Sequence, residues 1–232
     1  MTSALDVLVI APHPDDAEMG MGGAIMKMID EGWRVGVLDL TSGEPTPHGD
    51  EVTRRAETAA ASQVMQLTWR ENLGLTNRRL QATLEARAAL ANVLRRMRPR
   101  WLFAPFGTDA HPDHVAATQL IQDARFWSKL TKSELEGEPF HPQRIYYYYC
   151  MHLKMAITPA FVLDISPYWD RKRQALECYH SQLVKGHESE TPPLMERIRT
   201  HHAHWGHLIN KQYGEPFASR EPLGLKSLSE LV

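Results

Sequence analysis

Short apolar runs alternate along this chain with longer segments of helical periodicity. Asp6 to Ile10 contains an unbroken apolar stretch, Val7-Leu-Val-Ile10, of the kind a strand covered on both faces requires. Glu18 to Glu31 reads as a helix, Arg34 to Leu40 as a second strand, and Thr41 to Gly49, with two prolines and two glycines, as a loop. Glu51 to Gln66 is an alanine-rich helix in which Val52, Ala56, Ala59, Ala60 and Val64 fall near helical spacing. A short strand over Thr68–Leu73 leads to a helix over Leu80–Met97. There Leu80, Leu84, Ala88, Ala91 and Leu94 share a face; Arg95, Arg96 and Arg98 crowd the end, where cations suit the dipole, and Pro99 stops it. Trp101–Phe106 is the next strand, followed by a helix from about Asp113 to Leu130 and a polar loop over Thr131–Pro142. The last third predicts strands at Arg144–Cys150 and Phe161–Asp164, with an irregular stretch at His152–Pro159 between them. Ser166 reads as the N-cap of a helix with Pro167 in its first turn, running to about Gln182. A loop over Lys185–Pro193, a long helix over Leu194–Tyr213 and an added edge strand at Gly214–Phe217 complete the chain. Strand and helix in alternation imply right-handed crossovers and a mostly parallel sheet, hence one α/β domain over residues 1–232.

Composition narrows the partners. Among 232 residues, 43% are hydrophobic and 23% charged, ordinary for a soluble globular chain. A net charge of −2 makes no electrostatic case for nucleic acid or an anionic membrane. No apolar run approaches a membrane span, and Leu5 to Ile10 is too short for the apolar region of a signal peptide, so a cytoplasmic protein is expected. Cys150 and Cys178 have no CxxC neighbour and read as buried free thiols, consistent with a reducing compartment. Gly20, Gly22 and Gly23 lie within the first predicted helix, where each costs about 1 kcal/mol relative to alanine. Close packing of that helix, or a substrate near its start, would explain them. They do not make a dinucleotide fingerprint, because His-Pro-Asp-Asp stands where GxGxxG should follow the strand.

The candidate chemistry lies at two strand ends. His13-Pro-Asp-Asp16 follows the first strand, and in open α/β sheets ligands sit outside the carboxyl ends of the strands. Adjacent carboxylates repel; a divalent metal offsets that repulsion and accepts both imidazole nitrogen and carboxylate oxygen. The plainer reading is that Asp15 or Asp16 caps the following helix, for which one acid would do. After the Trp101–Phe106 strand, Asp109-Ala-His-Pro-Asp-His114 repeats the arrangement. Two such clusters meeting at one sheet edge supply three good ligands plus spare acid and base groups, the composition of a catalytic zinc site with an open position.

Together these motifs resemble the paired signature of the zinc-dependent N-acetylglucosamine deacetylases, the LmbE-like or PIG-L family. The likeness extends through Gly20-Met-Gly-Gly23, Asp39-Leu-Thr41, Arg54 with Glu57, Asn72-Leu-Gly74, Phe103-Ala-Pro105, Tyr179-His-Ser-Gln182 and Tyr213-Gly-Glu-Pro-Phe217, and so spans nearly the whole chain. It is most similar to the bacillithiol-pathway branch, the N-acetylglucosaminyl-malate deacetylases. The resemblance implies a Rossmann-like three-layer sandwich whose C-terminal third extends the sheet and covers the site. It implies one Zn2+ per chain held by His13, Asp16 and His114, with Asp15 as general base for the water. His111 would stabilise the oxyanion and protonate the leaving amine, and Asp113 would hold and charge that imidazole, unless it serves as a helix cap. Spacing alone leaves His111 and His114 free to exchange roles. Arg54 matches an arginine that meets an anionic substrate group, although a solvated Arg54–Arg55 pair is the plainer reading. The expected substrate is a small amino sugar, and the expected assembly a homo-oligomer, a hexamer by family. One departure stands out: a tyrosine near the start of the last long helix has no counterpart in Thr191-Pro-Pro-Leu194.

Other features read as structural. Tyr146 to Tyr149 alternate faces of a strand and suit sheet packing over sugar stacking. His201, His202, His204 and His207 point several ways on a helix and make a poor second metal site. Competing functions are a nucleotide-binding module, a phosphoesterase and a non-catalytic metal protein. The second needs more carboxylates than the motifs offer, and the third has little use for an unliganded Asp15.

Overall fold

The computed structural model describes residues 4–187, 189–225 and 227. The expected domain boundaries and part of the 185–193 loop fall on residues outside that set. Seven strands form one sheet in the order β3-β2-β1-β4-β5-β7-β6. They are β1 (Val7–Ala11), β2 (Val35–Thr41), β3 (Trp69–Leu75), β4 (Trp101–Pro105), β5 (Arg144–Tyr148), β6 (Phe161–Asp164) and β7 (Gly214–Ser219). The helices are α1 (Asp16–Asp30), α2 (Glu51–Met65), α3 (Leu84–Met97), α4 (Pro112–Ser128), α5 (Trp169–Glu177), α6 (His180–Leu183) and α7 (Leu194–Leu208). The first five strands run parallel, and β7 pairs antiparallel with both β5 and β6.

Alternation along the strands builds three layers. Leu8 and Ile10 of β1 point with Leu38, Leu40 and Leu102 into a core closed by Leu90, Leu94, Leu120 and Ile121 of α3 and α4. Val7, Val9, Val37 and Phe103 point the other way, onto Met21, Ile25 and Met28 of α1. A third cluster, with Met19, Ala61, Trp169, Leu176, Tyr179, Ile198 and Tyr213, joins α1 and α2 to the C-terminal third. The strand order reverses beside β1: the chain runs outward through β2 and β3, then returns to place β4 on the opposite side of β1. That reversal is a crevice at the carboxyl edge of a parallel sheet, and both His/Asp motifs open into it.

Several predicted boundaries move, each for a local reason. The helix expected at Leu80 starts at Leu84, capped by Thr83, because the Leu80 N–H is taken by Asp113 Oδ1 at 3.2 Å. Ser166 caps no helix: its hydroxyl donates to Asp164 Oδ1 and accepts from the Gln212 and Tyr213 amides. The helix expected from Pro167 to Gln182 becomes a 3-10 turn over Ser166–Tyr168 followed by α5 and α6. The last long helix ends at Leu208 because the chain doubles back over Gly206, where a Cβ would lie 2.5 Å from the Tyr213 nitrogen. The Gly214 strand is an interior strand, not the expected edge, since β6 takes the outside position. Arg95 is no dipole partner on the surface: it is buried and donates to the carbonyls of Ser128, Leu135 and Gly137, pinning the 131–142 loop. Both cysteines are free, Cys150 buried and Cys178 only partly so. Gly20 and Gly23 make room for Tyr148 and Ile165, whose side chains would meet an added Cβ at 2.4 and 2.7 Å.

Candidate metal centre and active-site cavity

Parallel pairing of Val7 with Trp101 and Val9 with Phe103 sets β1 and β4 side by side, so the loops that leave them meet. Thr41 at the end of β2 steadies the first loop, its amide and hydroxyl both donating to Pro12 O. Asp15 then takes a left-handed backbone, φ 113°, at the N-cap of α1, yet its side chain makes no cap hydrogen bond. The capping explanation therefore fails for Asp15: its carboxylate turns away from the helix to accept from Arg54 Nη1 at 3.1 Å.

Asp16 Oδ2 is the meeting point. It accepts from the His13 amide at 3.0 Å and lies 3.1 Å from His13 Nδ1 and 3.3 Å from His114 Nε2. The His114 nitrogen is buried and has no hydrogen-bond partner among the described residues. Donor atoms held about 2.0–2.2 Å from a tetrahedral zinc lie roughly 3.4 Å from one another, close to these separations. Two imidazole nitrogens and one carboxylate oxygen, one of them buried and unsatisfied, fit such an ion. The same three residues form one of the possible metal-holding groups.

Each of these imidazoles gives its other nitrogen to a second carboxylate. His114 Nδ1 lies 3.0 Å from Asp109 Oδ2, and His13 Nε2 lies 3.3 Å from Asp113 Oδ2. Such outer carboxylates fix the tautomer and orientation of metal-binding histidines. Sequence reading gave Asp109 no role; its place two residues before His111, in the turn that also holds that residue's amide at 2.9 Å, was the available signal.

Two assignments need correction. Asp113 does not hold His111. Its carboxylate meets His13 and accepts from the Arg78 amide at 2.7 Å and the Leu80 amide. His111 is itself the N-cap of α4, its Nδ1 accepting from the Asp113 amide at 3.2 Å, so Asp113 is not the cap either. An Nδ1 that accepts carries no proton, which assigns the proton of neutral His111 to Nε2. Arg54 is not half of a solvated arginine pair with Arg55: it lines the cavity. It is 3% exposed and donates to Pro14 O, Asp15 Oδ2 and Glu44 Oε1.

Electrostatics divides the adjacent acids. Burial pushes the Asp15 carboxyl up to about 7, against the pull of Arg54. Burial also raises Asp16, but His114 and His13 outweigh it and hold Asp16 well below the carboxylate range. Behind them a buried network props the start of α1. Arg70 donates to both oxygens of Asp39 at 2.8 and 2.9 Å and to Glu18 at 2.6 Å, and the Tyr179 hydroxyl donates to Glu18 at 2.9 Å.

His13, Asp15, Asp16, Arg54 and His111 line a cavity of about 1120 Å³ with further imidazoles, of which His152 stands nearest the motifs. Its ring stands 5.5 Å from that of His111 and 5.1 Å from that of His114. The sequence placed it only in an irregular stretch. The cavity's other wall comes from the C-terminal third, including Gln182, Leu194, Arg197 and His201. Of the four histidines in α7, His202 is buried against Gly214 O and Lys172, and none belongs to a metal-holding group among the described residues. Tyr148 packs on Gly20 and none of the four tyrosines lines the cavity.

The chain is 27% identical over 224 residues to the diacetylchitobiose deacetylase of Thermococcus kodakarensis, covering 90% of this chain and 80% of that protein. It is 26% identical to the 4-oxalmesaconate hydratase of Pseudomonas putida, over 78% of this chain and 75% of that one. Among solved structures, a conserved protein of Thermus thermophilus superposes with a TM-score of 0.87 at 39% identity, covering 95% and 97% of the two chains. The N,N'-diacetylchitobiose deacetylase of Pyrococcus horikoshii follows at 0.79 and 26%, over 91% and 82%. The model of the PIG-L, or GlcNAc-PI de-N-acetylase, family matches residues 8–125, just over half of the sequence and both His/Asp motifs, and the chain belongs to that family.

Proposed function

We propose that this protein is a zinc-dependent N-deacetylase that hydrolyses the acetamido group of an N-acetylglucosamine-containing substrate, N-acetylglucosaminyl-malate being the substrate favoured by the motif resemblance. The observation that carries the reading is the buried convergence of His13 Nδ1, Asp16 Oδ2 and His114 Nε2, the last ion-paired to Asp16 at 3.3 Å but making no hydrogen bond among the described residues, with the neighbouring Asp15 carboxylate held by Arg54. His13, Asp16 and His114 would hold the ion. Bound there, zinc supplies a Lewis acid that lowers the pKa of water at the site and polarises a carbonyl.

The chain's own groups do the rest. Asp15 accepts the proton of the attacking water, and Arg54 keeps that carboxylate aimed. His111, through Nε2–H, donates a hydrogen bond to the oxygen that becomes negative as the carbonyl carbon turns tetrahedral. The C–N bond then breaks, the proton held by Asp15 goes to the departing amine, and acetate and the free glucosamine amine result. A substrate carboxylate would meet Arg54 through Nη2, with Arg78 and Lys154 as further cations on the cavity wall.

The test is acetate release from N-acetylglucosamine, its malate conjugate and diacetylchitobiose, each with and without chelator. Chelator-sensitive release, fastest on the malate conjugate, is expected. Release that survives full removal of metal overturns the metal reading. Release equal on all three sugars removes the malate preference. No release from any of them, together with water addition to an unsaturated dicarboxylate, would favour the hydratase chemistry of the Pseudomonas relative.

A further inference from the structure

Helix α1 carries Asp16 at its first position and Met19 one turn later, and both face the cavity. The helix is broken just beyond them. Met21, at φ −152° and ψ 25°, lies outside helical geometry. In an unbroken helix the Gly23 N–H would bond to Met19 C=O and the Ala24 N–H to Gly20 C=O. Here both amides leave the ladder and donate to one carboxylate: Gly23 N to Glu215 Oε1 at 2.9 Å and Ala24 N to Glu215 Oε2 at 2.7 Å. The carbonyl of Met19, so released, accepts from Lys172 Nζ at 2.8 Å.

Lys172 and Glu215 are fully buried and bond to each other at 2.6 Å. The third contact of Nζ is His202 Nε2 at 2.7 Å. With His202 Nδ1–H donating to Gly214 O at 3.0 Å, Nε2 accepts from Lys172 at 2.7 Å, and its 3.2 Å approach to Met19 O is then a contact across the shared ammonium, not a hydrogen bond. All three ammonium hydrogens then have acceptors. An ion pair is thus inserted into the break, its negative end on the two freed amides and its positive end on the freed carbonyl.

A buried pair seldom adds net stability over an apolar substitute, but it fixes geometry where its partners are directional. Lys172 comes from α5, His202 from α7 and Glu215 from β7, all in the C-terminal third, whereas β1 and α1 carry the first motif. We infer that Lys172, Glu215 and His202 are positioning residues that splint the broken helix and so hold Asp16 and the residue-15 turn in metal-binding geometry. The inference rests on the metal reading above and adds that three residues of the C-terminal third set the affinity of the site without themselves touching it.

The test uses metal-stripped full-length protein with Zn2+ as probe, its Kd measured by competition with a chromophoric chelator, and the visible spectrum of the Co2+ form. Lys172→Met with Glu215→Gln removes both charges together and avoids a lone buried ion. The double variant is expected to melt cooperatively without metal, to bind zinc about tenfold or more weakly, and to show an altered cobalt spectrum. Its kcat should fall while KM holds. A purely structural role would lower the melting temperature and leave the zinc Kd and the cobalt spectrum alone; that result overturns the inference. His202→Asn keeps the ion pair, and a roughly threefold loss of affinity is expected. Should the double variant not fold, a His202→Asn protein with wild-type zinc affinity overturns the inference equally. A wild-type protein that binds no zinc overturns the metal reading, and this inference with it. Zinc binding by the wild type with equal affinity in the folded double variant overturns the inference alone.

Discussion

Two buried polar clusters sit one helical turn apart on α1, and they are finished differently. At the kink, Lys172 has an acceptor for each of its three hydrogens and Glu215 takes both freed amides. At the helix start, His13, Asp16 and His114 crowd together and leave His114 Nε2 with no hydrogen bond among the described residues. A buried polar atom without a partner costs about 1–3 kcal/mol. The cluster at the kink is complete in itself, whereas the one at the helix start converges two imidazoles and a carboxylate with a nitrogen left over, the donor set of a metal site. The contrast separates groups that hold the fold from groups that hold something else, although both are equally charged and equally deep.

The largest expected effect breaks the incomplete cluster from its solvent side. Asp15→Asn should leave zinc bound and lower kcat by about 10²–10⁴-fold, the usual range for a lost general base; metal analysis beside the acetate assay reads both. Wild-type turnover in that variant would remove Asp15 from the proton transfer. Next comes the outer shell. Asp109→Asn should weaken zinc binding by about 10–100-fold by freeing the His114 ring, and a smaller loss than that of the Lys172 double variant would reverse the ranking of near and distant supports.

Acid should weaken the same site. Burial alone would push the His114 imidazole down, but the charge of Asp16 outweighs it and holds the imidazole protonated well above its ordinary range in the metal-free protein. His13 is likewise raised, Asp16 overcoming burial. Both rings must lose protons to bind metal. Zinc affinity should therefore rise with pH and fall with acid, with protons released on binding, which calorimetry in buffers of different ionisation heat would count. The complete cluster has an acid dependence of its own: burial and the Lys172 charge hold the His202 imidazole well below its ordinary range, so the apo melting temperature should fall as the pH drops through the range in which an unfolded histidine protonates. The smallest effect lies outside both clusters. Thr83→Ala removes the cap bond to the Ala86 amide and should cost about 1 kcal/mol, or roughly 2–4 °C in melting temperature for a chain of this length, with zinc affinity unchanged.

The sequence by itself determined the alternation of strand and helix and the parallel sheet, because an unbroken apolar run such as Val7–Ile10 can be satisfied only between two layers. It also picked out His13, Asp15, Asp16, His111 and His114, since a strand end followed by adjacent acids and an imidazole has few structural uses. It misjudged partners. Asp113 was paired with the nearer His111, but the turn of α4 sends its carboxylate across to His13. Arg54 was aimed at substrate with no sign that Glu44 and Asp15 also hold it. Glu215 lay in a family-like stretch and His202 in a run of histidines, but nothing tied either to Lys172: they are far apart in the chain, and only the packing around the order β5-β7-β6 brings them under the break in α1. Residue type and local period are written along one dimension, so they reveal which groups can do chemistry. Which of those groups satisfies which other depends on chain crossings and side-chain directions that exist only once the layers have packed.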